Sequence, residues 1–157
     1  MAITNGYCTL AQIKNSAGIT DSVDDDLLEL AVEAASREID SATERQFFQT
    51  SATRVYTPRD SYVTDIDDLV TVTTIKTSSA ADGTFDTTWD TTDYQLEPLN
   101  GLAGGIATPS NSIRAIGDYN FPMSGGEATV QVIGTFGFSS VPTQITQATV
   151  LLGSRIF

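Results

Sequence analysis

The sequence predicts an α+β fold in which a small helical bundle carries an inserted antiparallel β lobe. Three observations predict it. Residues 1–48 and residues 142–157 show the three- and four-residue spacing of apolar side chains that is typical of helices, and residues 50–138 show the alternation of strands. Because helical stretches flank the β stretch, we expect the outer helices to pack together. The 157 residues match the scale of one domain, so we expect a single domain over 1–157.

Two helices are predicted before residue 48. Thr9 is a suitable N-cap for a short helix from Leu10 to Ala17, which Gly18 ends in a left-handed conformation. The second helix follows an acidic start at residues 24–26, where carboxylates face the positive end of the helix dipole. Its apolar face comprises Leu28, Ala31, Val32, Ala35, Ile39 and Ala42. Its opposite, charged face comprises Glu29, Glu33, Arg37, Asp40 and Glu44, and we expect Glu33 and Arg37 to form an i,i+4 ion pair.

The stretch 50–138 is rich in threonine beside Val, Ile, Tyr and Phe, which are residues that favour strands. Alternation predicts strands at 53–57, 70–76, 94–96, 113–116 and 128–133. Glycine, asparagine and aspartate predict turns between them, with longer loops at about 77–92 and 99–111.

The last helix is predicted at 142–157, with Pro142 at its start. Its apolar face comprises Ile145, Ala148, Thr149, Leu152 and Ile156. This face still continues where the sequence ends at Phe157, so we expect an exposed apolar end that contacts another subunit or a partner.

Composition excludes several functions. The chain has no histidine, so a Ser–His–Asp triad and His-ligated metal sites are excluded, and its one cysteine, Cys8, is expected to be a small buried thiol. The net charge of −12 argues against binding to nucleic acid or to an anionic membrane. No apolar run is long enough to span a membrane, and the first residues lack a signal-peptide pattern. We expect neither a metal nor another cofactor.

Three groups of acidic residues are candidates for a cation-binding, sugar-binding or catalytic site. The run at 24–26 favours helix capping over a cation site, and the acids at 65, 67 and 68 favour a solvated turn over calcium. Around Trp89, the acids Asp86, Asp90 and Asp93 leave two alternatives open. One is a carbohydrate-binding or adhesin-like β module that stacks sugars on Trp89, and the other is a glycosidase that uses a carboxylate pair. The sequence favours a protein that is not an enzyme, with a buried Trp89.

A further pattern spans nearly the whole chain. The order Tyr7-Cys8-Thr9-Leu10, Gly18-Ile19-Thr20-Asp21 and Asp25-Asp26-Leu27-Leu28 resembles the opening of bacteriophage head–tail connector (adaptor, or head-completion) proteins. Later segments are similar to the longer, β-inserted members of that family. They are Asp93-Tyr94-Gln95-Leu96-Glu97-Pro98 and Gly134-Thr135-Phe136-Gly137-Phe138.

The resemblance implies a structural virion protein that forms a ring of twelve identical subunits under the portal protein. Such a ring extends the DNA channel and offers a docking platform for the tail or the next connector (stopper) protein. The implied location is the head–tail interface of the virion, reached through assembly in the host cytoplasm. Interface candidates are Leu151, Leu152, Arg155, Ile156 and Phe157. Candidates for an acidic channel lining, which would let DNA pass without binding, are Glu29, Glu33, Asp40 and Glu44.

Overall fold

The computed structural model describes residues 2–80, 82–103, 106–123 and 126–157. Within these residues lie three helices, a six-stranded antiparallel sheet and a small two-stranded sheet, so the predicted α+β class is confirmed. The chain forms two compact units. The helical unit comprises Met1–Phe48 and Ser140–Phe157, and the β unit comprises Gln49–Ser139. The assignment of 1–157 to a single domain stays a prediction.

Helix α1 spans Leu10–Ala17, as predicted, because both of its ends are specified locally. The Thr9 hydroxyl accepts a hydrogen bond from the Gln12 amide at 3.2 Å, and the Gln12 side chain accepts one from the Thr9 amide at 2.7 Å. This reciprocal pair is a capping box. At the other end Gly18 adopts φ +70°, where a side chain would be strained.

Helix α2 spans Asp25–Thr43 and ends at Glu44, which has a positive φ of 54°. Its buried face contains Leu28, Ala31, Val32, Ala35 and Ile39, as predicted. Ala42 was also predicted there but is exposed, so the buried face ends one turn earlier.

Helix α3 spans Thr143–Ile156. Its predicted face is shifted in the structure, because Thr149 and Gly153 are buried while Ala148 and Ile156 are exposed. The cause is Gly153: a Cβ there would lie 2.9 Å from Ile13 Cδ1, so only a glycine lets α3 approach α1 this closely. The core of the helical unit consists of Cys8, Ile13, Leu28 and Val32, with Ile3, Leu10, Ile19 and Val150 packed against it.

The strands of the large sheet are β1 Thr50–Tyr56, β2 Val63–Thr77, β3 Thr87–Trp89, β4 Tyr94–Glu97, β7 Ser110–Ala115 and β8 Val130–Phe136. Their order in the sheet is β1-β8-β2-β7-β4, and β3 pairs with the end of β2. Two short strands, β5 Leu102–Ala103 and β6 Ile106–Ala107, pair with each other. All the pairs are antiparallel, as predicted.

Strand β2 differs most from its prediction, because it begins at Val63 rather than at residue 70. Its first part pairs with β7 and its second part with β8, and the register shifts between Leu69 and Thr71 and again between Val72 and Thr74. The two predicted loops also differ, since they contain β3 and the β5–β6 pair; Ala81, Gly104 and Gly105 lie outside the described residues. The core of this unit contains Ile66, Leu69, Ile75, Trp89, Ile113, Ala115, Phe121, Val130, Val132 and Phe136.

Candidate interaction surfaces

Tyr7 anchors the segment before α1 to helix α2. Its ring is buried, its hydroxyl donates to an Asp40 carboxylate oxygen, and the Phe47 amide donates to the same hydroxyl at 2.9 Å. Burial, together with the bond to Asp40, raises the pKa of Tyr7 to about 12. Tyr7 also packs edge-on against Phe47, with 5.6 Å between the ring centroids. The segment before α1 and the segment after α2 are thereby both held against helix α2.

Arg37 completes this anchor from the surface of α2. Its guanidinium lies 5.4 Å from the Tyr7 ring centroid and 5.0 Å from that of Phe48, in cation–π geometry. It donates to Asp40 at 2.9 Å and to the Asn5 carbonyl at 3.1 Å. Only its weakest contact, 3.5 Å to Glu33, is the i,i+4 pair that the sequence analysis expected.

The four predicted channel-lining acids therefore differ in their surroundings. Glu33 accepts hydrogen bonds from the Thr4 and Asn5 amides at 2.6 and 3.1 Å, and Asp40 is bound to Tyr7 and Arg37. Glu29 is half-buried and Glu44 is exposed. Their placement along a channel stays a prediction, but two of them also have a role within the chain that the sequence did not reveal.

An apolar groove lies between α2 and the end of α3. It is lined by Leu27, Leu30, Ala31, Ala34, Ile156 and Phe157. The side chains of Leu27 and Leu30 are 58% and 52% exposed, and those of Ile156 and Phe157 are 46% and 48% exposed. Such large apolar residues grouped at a surface are typical of a contact site.

The groove contains two of the five predicted interface residues. Of the other three, Leu151 and Arg155 are exposed and Leu152 is half-buried. Leu27 and Leu30 were not among the predicted interface residues, because α2 was expected to have only one apolar face and one charged face. The signal was present, since Leu27, Leu30 and Ala34 recur at spacings of three and four beside the buried face.

A second exposed apolar feature is the hairpin of β5 and β6. Leu99 and Leu102 are 67% and 71% exposed. The base of the hairpin is fixed, because the Thr108 amide donates to the Gly101 carbonyl at 2.9 Å. A Cβ at Gly101 would lie 2.2 Å from Thr108 Oγ1, so this closure requires glycine.

Trp89 is not a sugar-stacking platform, because it is buried, with 5% of its surface exposed. Its ring stacks on Phe121 with 4.8 Å between the centroids, and its indole N–H donates to Thr77 Oγ1 at 3.1 Å. The expectation of a buried Trp89 is confirmed. Asp93 closes the next turn, where its carboxylate accepts a hydrogen bond from the Asp90 amide at 2.7 Å. The residues that suggested a glycan-binding module or a glycosidase therefore belong to the core and to a turn.

In the two remaining acidic groups, Asp25, Asp65 and Asp67 form ion pairs. Asp24 stands at the N-cap of α2 but its side chain makes no capping hydrogen bond, so the predicted capping was wrong there. Asp25 lies 2.5 Å from Lys14 Nζ, which ties the start of α2 to α1. Asp65 and Asp67 lie within β2 rather than in a turn. Asp67 accepts hydrogen bonds from Arg54 at 2.7 Å and from the Tyr56 hydroxyl at 2.9 Å, and Asp65 lies 3.2 Å from Arg59. The turn prediction was wrong because the alternation of a strand that carries acids on its outer face is hard to see in a sequence.

Two negative findings apply to the described residues. In the ranges given above, no three Asp, Glu, Cys or His side chains are grouped so that they could hold a metal ion. Within the same ranges, none of the helices has both the length and the apolar character needed to cross a bilayer.

Comparisons with known proteins agree with this fold. The model of the Phage gp6-like head-tail connector protein family matches residues 7–81. No curated protein matches the sequence.

Chains of three solved structures share the fold. A chain in "Neck of empty GTA particle computed with C6 symmetry" is 18% identical with a TM-score of 0.61, and the match covers 99% of this chain and 80% of that one. A chain in "Neck of native GTA particle computed with C12 symmetry" is 21% identical, with a TM-score of 0.59 and coverages of 99% and 79%. A chain in "Virion of native gene transfer agent (GTA) particle" is 20% identical, with a TM-score of 0.58 and coverages of 99% and 80%. The predicted resemblance is thereby confirmed: residues 7–81 match the model of the Phage gp6-like head-tail connector protein family.

Proposed function

We propose that this chain is a structural head–tail connector of a phage-like particle, and not an enzyme. Copies of it form a ring below the portal protein, at the head–tail interface of the virion. The observation that carries the proposal is the fold, which matches chains of GTA neck and virion structures over 99% of its length. The family match over residues 7–81 supports it independently, because it rests on sequence.

The ring consists of twelve identical copies, assembled in the host cytoplasm. The C6 and C12 symmetries of the two GTA necks support a rotationally symmetric arrangement. In a ring each copy must offer two different faces to its neighbours. The exposed end of α3, with Leu151, Leu152, Arg155, Ile156 and Phe157, is one such contact surface for a neighbouring copy or for the portal.

The ring extends the DNA channel and gives the tail or the next connector protein a platform. The net charge of −12 fits a conduit that DNA crosses without binding, because acidic side chains repel phosphates. Glu29, Glu33, Asp40 and Glu44 line this channel. The first variants are made at Glu29, which is half-buried, and at Glu44, which is exposed.

Electron microscopy and native mass spectrometry test the ring. We expect annular particles from the purified protein, alone or with the portal of the same particle. We also expect its density between portal and tail in intact particles. A chain that stays monomeric at high concentration and with the portal, and that is absent from the neck, would contradict the proposal.

The acidic channel has a separate test. Glu29→Lys and Glu44→Lys place cations on the proposed lining, and the ring should then retain duplex DNA in a salt-dependent manner. The matched control is Glu38→Lys, which changes the charge equally on an exposed position of α2 about 180° away from Glu29 around the helix. Equal DNA retention by all three variants would show that net charge alone is responsible and would refute the assignment of the lining.

A further inference from the structure

This chain has two exposed apolar surfaces, one on each of its two compact units. One is the groove on the helical unit, lined by Leu27, Leu30, Ala31, Ala34, Ile156 and Phe157. The other lies at the base of the β5–β6 hairpin on the β unit, where Leu99 and Leu102 are 67% and 71% exposed.

These two surfaces differ from the rest of the molecule because they lack charged side chains. None of the six side chains that line the groove carries a charge. The sequence from Pro98 to Ile113, which contains the hairpin, has no Asp, Glu, Lys or Arg. In a chain of net charge −12, two copies repel each other over most of their surfaces. Neutral apolar patches are where such copies can meet at the lowest electrostatic cost.

The hairpin is also held in place before any contact forms. The bond between the Thr108 amide and the Gly101 carbonyl closes its base, and Gly101 has no space for a side chain. A segment that is already fixed before binding loses less conformational entropy when the contact forms.

We propose that the occupant of the groove is a second copy of this chain, whose Leu99 and Leu102 side chains enter it. The contact is heterologous, since it joins the hairpin of one copy to the groove of the next, and a heterologous contact that closes on itself builds a ring. This inference rests on the proposed function, which requires a ring, and it identifies the two faces that build the ring.

Engineered disulfides test the contact directly. Leu102→Cys is made in one preparation and Leu30→Cys in another, and the two are mixed under mild oxidation. Cys8, the only native thiol, is 5% exposed and does not compete. We expect a covalent dimer that contains one copy of each variant, formed at least tenfold faster than dimers in either preparation alone. Matched controls replace the partners with Tyr62→Cys, at an exposed position of the β unit, and with Ala42→Cys, at an exposed position of α2 outside the groove.

A charge substitution provides a second measurement. Leu102→Asp adds a carboxylate to the proposed contact at a position so exposed that folding is unaffected. We expect it to raise the concentration needed for half-assembly of the ring at least tenfold. Tyr62→Asp adds the same charge to another exposed apolar position and should leave assembly within twofold of the unmodified protein.

The outcomes separate the two proposals. Rings that form without the mixed disulfide, or that tolerate Leu102→Asp, would overturn the contact and leave the connector function standing. A monomer that forms no mixed disulfide and no ring with the portal would overturn both. Cross-linking of Leu102→Cys to the control positions as fast as to Leu30→Cys would show random collision and would also overturn the contact.

Discussion

Gly134 lies in β8 opposite the shifted register of β2, and replacing it with alanine tests how closely these two strands pack. A Cβ built at Gly134 would lie 2.2 Å from the Thr71 carbonyl oxygen and 3.0 Å from Leu69 Cδ1. The first contact is to backbone, so a side-chain rotation cannot relieve it. One of the two strands must therefore move by roughly 1 Å, since a carbon and a carbonyl oxygen approach to about 3.3 Å.

The cost of Gly134→Ala follows from three contributions. Overpacking costs about 1–3 kcal/mol. Disturbing a hydrogen bond between β2 and β8 adds about 1 kcal/mol. Against these, alanine is favoured over glycine inside a strand by about 0.5–1 kcal/mol. We expect a net loss of about 2 kcal/mol in the free energy of unfolding, within a range of about 1–3.5 kcal/mol, because the steric contribution exceeds the entropic gain.

Urea unfolding followed by fluorescence measures this loss. Trp89 is the only tryptophan, and it is stacked on Phe121 in the core of the β unit, so its emission reports on the unit that contains Gly134. For a loss of about 2 kcal/mol and a urea dependence of about 2 kcal/mol per molar, the midpoint should fall by about 1 M. The control is Gly117→Ala, where φ is +64° but a Cβ would meet nothing within 4 Å. It should cost only about 1 kcal/mol, from backbone strain. Equal effects of the two variants, or no change for Gly134→Ala, would refute the steric reasoning.

Three further predictions concern buried side chains. Trp89→Ala should lower the stability of the β unit by about 3–5 kcal/mol, as measured by circular dichroism in urea, because it removes a large core side chain. Tyr7→Phe should lower the stability of the helical unit by about 1–3 kcal/mol, because it removes the hydroxyl that donates to Asp40. Since the pKa of Tyr7 is raised from 10.0 to about 12, the unfolded chain loses this proton first, and stability should fall as pH rises from about 10 to about 12. Tyr7→Phe should reduce that slope, and an unchanged slope would contradict the assignment. Burial raises the pKa of Cys8 from 9.0 to about 11, so alkylation at pH 8 should be about 100-fold slower than for an ordinary thiol and should recover in urea.

Locally specified features were predictable from the sequence. The bounds of α1 depend on Thr9, Gln12 and Gly18, which lie within one turn of the helix ends that they cap. The buried face of α2 was also predictable, because helical periodicity places its apolar residues on one side whatever they pack against. The order of helices and strands followed from changes in that periodicity along the chain.

Tertiary structure decided the features that join distant residues. Arg37 was expected to pair with Glu33, but its closer contacts are to Asp40, Asn5 and the rings of two aromatic residues, some of which lie about 30 positions away. In the sequence, the acidic residues of β2 resembled a turn, because the arginines with which they pair lie on other segments of the chain. Leu27 showed a helical spacing, but only the packing of α3 shows that the residue borders a groove.

The sequence by itself therefore determined the fold class, the caps of α1 and the family resemblance, since each depends on residues close together along the chain or on their order. Only the tertiary structure decided which apolar side chains stay exposed and which acids are already paired. Exposure depends on how much apolar surface other elements cover, and that is a property of the packed chain rather than of any segment.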